Sequence, residues 1–155
     1  MFRQMRRQNR KIEIKEEIDQ ILNKGEYGTL ATIGENGYPY SVPISYVYYE
    51  KCIYFHSAKV GHKIDNIKNH EKVSFNVVGD TEVLPSKFST KYESVIAFGI
   101  ATEIDGEEKE MALLKLIEKY SPEFLQEGKL YISRAKDATS VMKISIEHMT
   151  GKAIK

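Results

Sequence analysis

The stretch Tyr27-Gly28-Thr29-Leu30-Ala31-Thr32-Ile33-Gly34-Glu35-Asn36-Gly37-Tyr38-Pro39-Tyr40-Ser41-Val42-Pro43-Ile44-Ser45-Tyr46-Val47-Tyr48-Tyr49 decides the fold class. Its two runs, Tyr27 to Ile33 and Pro39 to Tyr49, are rich in β-branched and aromatic residues and flank Gly34-Glu35-Asn36-Gly37. Asn-Gly is the strongest short hairpin signal, because tight hairpin turns need positive φ at their centre. Pro43 has no N–H to give a ladder, so its strand is expected to be irregular there or unpaired on one side. Glu50-Lys51 then turns the chain into a further strand, Cys52 to Ser57. Strands that follow one another this closely predict an antiparallel meander.

Working outward, Ile14, Ile18, Ile21 and Leu22 recur at helical spacing. Glu16 and Glu17 in the first turn, Lys24 in the last and Gly25 as a stop complete a helix. After Gly61 a short helix is expected, with Ile64 and Ile67 facing inward. Val73 to Val77 alternates as a half-buried strand, and Gly79 to Lys91, with Pro85, reads as a loop covering a site. Tyr92 to Ile104 is a long strand, and Gly99 inside it suits a bulge or barrel bend. Asp105-Gly106-Glu107-Glu108 opens a second helix in the manner of a capping box, with Leu113, Leu116, Ile117 and Tyr120 as its stripe. A short helix near Leu130 and a final strand, Val141 to Met149, follow. Antiparallel strands with added helices predict an α+β fold built on a barrel.

The chain has 155 residues, 41% hydrophobic and 29% charged, which predicts one globular domain over 1–155. No apolar run approaches the ~20 residues that span a bilayer, and Met1-Phe2-Arg3-Gln4-Met5-Arg6-Arg7 has no leader-like apolar core, so no membrane partner is expected. Cys52 is the only cysteine, which excludes an internal disulfide and fits a cytoplasmic setting. A net charge of +1 argues against a nucleic-acid partner. Arg3, Arg6, Arg7, Arg10 and Lys11 form a basic arm, read as a solvated segment packing on a partner subunit or as a phosphate or nucleic-acid contact.

Phe55-His56-Ser57-Ala58-Lys59-Val60-Gly61-His62-Lys63 is the most chemical segment. A strand ends, a glycine opens a helix, and a lysine stands in the first turn, where the dipole favours acids. A phosphate between Lys59, His62 and Lys63 explains the lysine, and a solvated surface turn explains it equally well. His56, His62 and His70 lack metal-site spacing, so no metal is assigned. Cys52, at the start of an apolar strand, reads as a small hydrophobe rather than a nucleophile. Of the ten tyrosines, Tyr38, Tyr40, Tyr46, Tyr48, Tyr49 and Tyr54 crowd two adjacent strands and serve a core, an interface or a flat-ligand site alike.

Taken in order, Met5-Arg6-Arg7, Leu30-Ala31-Thr32, Asn36-Gly37-Tyr38-Pro39-Tyr40-Ser41-Val42-Pro43, Tyr54-Phe55-His56-Ser57-Ala58, Gly61-His62-Lys63, Tyr92-Glu93-Ser94-Val95-Ile96 and Thr150-Gly151-Lys152 resemble the pyridoxamine 5'-phosphate oxidase-like flavoproteins. More narrowly they resemble the branch containing the 5-nitroimidazole-resistance proteins. The resemblance implies a six-stranded split barrel that forms a homodimer with FMN at the subunit interface. It implies that Val42, Pro43, Ile44, Ser45 and Tyr46 run beside the flavin ring. His56, Ser57, Ala58, His62 and Lys63 would hold the ribityl chain and phosphate, Tyr92 and Ser94 would approach from the partner strand, and Thr32 is a further candidate. In the nitroimidazole-resistance proteins a histidine at the position of His56 is assigned to the drug chemistry, which makes His56 the catalytic candidate. His62 stands where pyridoxamine phosphate oxidases carry arginine, and the chain has no Trp, so vitamin B6 oxidation is not expected.

Three function classes remain. One is an FMN-dependent reductase of small, nitroaromatic acceptors. Another is a flavin-binding module without turnover. The last is a haem-binding split barrel with His56 or His62 on iron.

Overall fold

Strands adjacent in the decisive stretch part company in space. In the computed structural model, which describes residues 1–155, the hairpin of β1 (Gly28–Ile33) and β2 (Pro39–Ile44) forms as expected. Gly37 takes φ 82° in its turn, a conformation that L side chains rarely adopt. The chain then breaks at Ser45-Tyr46, and a second hairpin, β3 (Val47–Tyr49) with β4 (Cys52–Ala58), closes through Glu50 (φ 48°) and Lys51 (φ 63°). The sheet order is β2-β1-β5-β6-β7-β4-β3, so the two hairpins lie at opposite edges and the expected meander is not formed. The break also raises the strand count to seven, where six were expected. β2 is an edge strand, so Pro43, paired to Thr29 on one side, needs no ladder partner on the other.

The middle of the sheet is built from β5 (Lys72–Leu84), β6 (Ser89–Ile104) and β7 (Thr139–Ile154). Gly79 to Lys91 is not a loop. Thr81 to Leu84 pairs with Ser89 to Tyr92, and a single 3-10 turn at Pro85–Lys87 caps this two-stranded ribbon. Pro85 interrupts no strand, because it stands at the turn, after the ladder has ended. Gly99 sits at a register shift against β7, where a Cβ would strike the Ser145 carbonyl.

The fold is α+β, a split barrel of one rolled antiparallel sheet whose free edges are β2 and β3. Inside the roll, Leu30, Phe55, Phe75, Val77, Val95 and Ile144 pack with Ile18, Ile21 and Leu22 of α1 (Lys15–Lys24) and Ile64 and Ile67 of α2 (His62–Asn69). Ile14, read as part of the α1 stripe, is its exposed N-cap. Outside, α3 (Gly106–Tyr120) lays Ala112, Leu113 and Leu116 over Val47, Tyr54 and Val141, and α4 (Leu125–Ala135) packs beside it. Asp105 is the N-cap of α3, but no side-chain cap bond forms, so the capping box is not realised. No helix is long and apolar enough to cross a membrane.

Candidate functional site

Three chain segments meet where α2 begins. β4 delivers His56, Ser57 and Ala58, α2 opens with His62 and Lys63, and β2 brings Tyr40, whose ring lies on the His62 imidazole with centroids 4.0 Å apart. Gly61 is the N-cap at φ 151°, and no side chain caps the helix. The first-turn amides therefore point outward unmatched by protein, beside two residues able to carry positive charge. A Cβ at Gly61 would meet nothing within 4 Å, so the approach is open. Lys63 has no carboxylate within salt-bridge reach, unlike the paired Lys15, Lys24 and Lys143. Unmatched amides with an unpaired ammonium are the donor set a phosphate monoester requires.

Thr32 lies behind the start of α2 rather than on its open side. It is buried, and its Oγ1 accepts a 3.0 Å hydrogen bond from the equally buried Asn66 Nδ2. That bond pins α2 to β1, so Thr32 orients the cationic helix end from behind. Asn66 was not singled out from sequence. A polar residue between the inward Ile64 and Ile67 is the signal that marks it.

His56 and Ser57 leave β4 on opposite faces. Phe55 packs inside the roll and Tyr54 outside under α3, so His56 follows Tyr54 outward. His56 joins Leu113, Leu116, Ile117, Ile132 and Ala135 around a small apolar cavity of about 60 Å³ between α3, α4 and the sheet. Its side chain still reaches solvent, yet the packing around the ring lowers its pKa, and the nearby Lys63 charge lowers it further. At neutral pH it is an uncharged imidazole, able to accept a proton or ligate a metal. Ser57 Oγ donates to the Ala58 carbonyl at 2.8 Å, which fixes the bend out of β4.

Along β2, Val42 and Ile44 are half-buried against the core, whereas Ser41, Pro43 and Ser45 are exposed on the outer face. Tyr46 offers no free group. Its ring is buried, its phenol donates to the Leu22 carbonyl, and its backbone N–H and C=O are bound by Tyr120 and Lys119. Only Val42 to Ser45 of the expected ring-facing run remain available.

Tyr92 and Ser94 are not brought to α2 within the chain. His56 pairs with Val141, and Val141 with Ile104, so Ser94 lies ten residues further along β6, roughly 33 Å of strand. Tyr92 and Ser94 border instead an outer sheet face that no helix covers. Its cross-strand rows are Thr29–Asn76–Ile96–Thr150 and Ala31–Ser74–Phe98–His148. Ile33, Val78, Ile96 and Phe98 are exposed there, and only Phe2, stacked on His148 at 4.7 Å, lies over it. No group of three or more His, Cys, Asp or Glu side chains is placed to hold a metal ion.

The sequence matches the pyridoxamine 5'-phosphate oxidase family over residues 15–153. No curated protein matches it significantly. Among solved structures, a candidate 5-nitroimidazole antibiotic resistance protein from Bacteroides thetaiotaomicron superposes with TM-score 0.74 at 24% identity, over 92% of this chain and 86% of that one. The flavocytochrome Anf3 from Azotobacter vinelandii gives 0.83 at 18%, over 98% and 72%. An FAD- and haem-binding protein from Mycobacterium smegmatis gives 0.82 at 19%, over 94% and 74%. At these identities the likeness is one of fold.

Proposed function

The chain belongs to the pyridoxamine 5'-phosphate oxidase family, and from that premise we propose that it is a homodimeric FMN-binding reductase of small, nitroaromatic acceptors. One observation carries the reading: the uncapped α2 N-terminus with unpaired Lys63 stands beside a free sheet edge, where a phosphate would meet both amides and charge. Val42 to Ser45 on that edge would lie along the ring. The bare outer face supports the dimer, since its apolar and small residues invite a second copy. In such a dimer Tyr92 and Ser94 of one copy can approach the flavin held by the other, which a single chain does not allow.

FMN supplies hydride and one-electron chemistry when bound. The chain's part is to hold the phosphate at Lys63 and His62, to orient the ring on β2, and to exclude water by dimer packing. His56, uncharged at neutral pH, would take or return a proton at its imidazole near the acceptor.

The visible spectrum of protein purified without added cofactor tests the reading. Flavin bands that bleach with a nicotinamide cofactor, followed by reduction of a nitro compound, are expected. An FMN-loaded protein that neither nicotinamide reduces is a binding module. A haem spectrum overturns the flavin reading, and its one structural support here is the uncharged His56 on an apolar cavity.

A further inference from the structure

The break between β2 and β3 is held from a distance. Tyr120, the last residue of α3, accepts a 3.0 Å hydrogen bond from the Tyr46 N–H and donates one of 2.6 Å to the Glu26 carbonyl. One turn-end residue earlier, Lys119 Nζ donates to the Tyr46 carbonyl at 2.9 Å and lies 3.8 Å from the centre of the Tyr46 ring. Both polar groups of the Tyr46 backbone are thus bound by a helix 73 and 74 residues away in sequence. The Tyr46 ring is anchored in turn by its phenol to Leu22. These bonds lie where the run Val42 to Tyr49 leaves its pairing with β1 and takes up its pairing with β4.

We propose that Lys119 and Tyr120 are positioning residues that set the path of Val42 to Ser45, and so the seat of the flavin ring. The inference rests on the proposed FMN site. Its physical content is a clamp in which a half-buried ammonium, facing two rings and a carbonyl, holds a strand end at a fixed angle. Lys119 has no carboxylate within salt-bridge reach. The charged groups facing it are Lys24 and Glu26, which line the same open cavity together with Tyr27 and Ser45. Lys24 pairs with Asp80, and Glu118 beside it pairs with Lys115. Burial accordingly lowers the Lys119 pKa to about 8.

This yields a signature that ordinary structural support would not give. Lys119 titrates near pH 8 in the fold and near 10.5 when unfolded, so protein stability rises with pH across that window. The clamp loses its charge across the same window, so FMN affinity falls while stability rises. Fluorescence titration with FMN at pH 7 and pH 9, beside thermal unfolding, reads both in the full-length protein. Tyr120→Phe removes the hydroxyl that accepts from the Tyr46 N–H and donates to the Glu26 carbonyl, and is expected to weaken FMN about fivefold to tenfold. Lys119→Met is expected to weaken it similarly and to abolish the pH dependence, whereas Lys119→Arg keeps affinity and shows a flat profile. Hydrogen exchange of the apo protein reads the clamp without flavin, with faster exchange of the Tyr46 amide expected in Tyr120→Phe. Unchanged exchange there overturns the clamp. Faster exchange with unchanged FMN affinity overturns its role at the ring. A wild-type protein that exchanges as expected yet binds no FMN overturns the proposed site, and with it the functional half of this inference.

Discussion

The outer surface of the sheet has two halves, one covered and one bare. Under α3, β4 buries Ile53, Tyr54 and Phe55 in succession, because one face meets the roll and the other meets the helix. On β6 the pattern alternates instead: Val95 and Ala97 are buried, and Ile96 and Phe98 are exposed. The same period-two geometry thus gives a continuous apolar run where a helix packs and a clean alternation where none does. The covered half secures the fold, while the bare half leaves Ile33, Val78, Ile96 and Phe98 exposed beside Phe2.

Cutting the same kind of side chain from each half separates these roles most sharply. Leu116→Ala, on the face of α3 that packs on the sheet, is expected to cost about 2–5 kcal/mol in denaturant unfolding, because a cavity is left in a well-packed region. Ile96→Ala should change monomer stability by only about 0.5 kcal/mol, as for exposed sites, yet weaken the proposed dimer in light scattering. Equal losses of stability from both would remove the distinction. The next effect belongs to the rim between the halves. Lys63→Ala is expected to weaken FMN binding about tenfold to a hundredfold, as for a lost charge-assisted hydrogen bond. Unchanged FMN affinity would take Lys63 out of the site.

The local devices were legible in the sequence. Asn36-Gly37, Glu50-Lys51, Gly61 and Gly99 each marked a turn, cap or bulge that the fold uses, because each signal acts within a few residues. Long-range pairing was not legible. Nothing local tells β2 and β3 to sit at opposite edges, and the Tyr46 backbone at the break is bound by Lys119 and Tyr120 from the far end of α3. The site was half-legible for the same reason. The run His56 to Lys63 is nearly contiguous and showed its charge, whereas Tyr40 on His62 and Asn66 on Thr32 are contacts that only folding creates.

Thr32 sharpens the boundary between the halves at smaller cost. Thr32→Val keeps the shape but strands the buried Asn66 amide, with an expected loss of about 1–3 kcal/mol. If Thr32 only orients α2, FMN affinity should drop modestly and Thr32→Ser should restore it. An FMN loss as large as that of Lys63→Ala would instead put Thr32 in contact with the ligand.

The smallest effect is a slope, and it reports where the phosphate lies. Burial and the Lys63 charge hold the His56 pKa below its ordinary 6.5, so between the two values the unfolded chain binds a proton that the fold refuses. Stability therefore falls as pH drops below about 6.5, and no slope from His56 remains above it, where both states are neutral. Thermal unfolding of wild type against His56→Gln, between about pH 7 and pH 5, should show a steeper fall in the former, since every other titrating group is shared. Lys63→Ala should reduce it, because the lowering charge is gone. Bound FMN should reduce it too, provided the phosphate sits on Lys63, since an anion there cancels the same charge. A slope that FMN leaves untouched would place the phosphate away from α2 and detach the bare half of the sheet from His56.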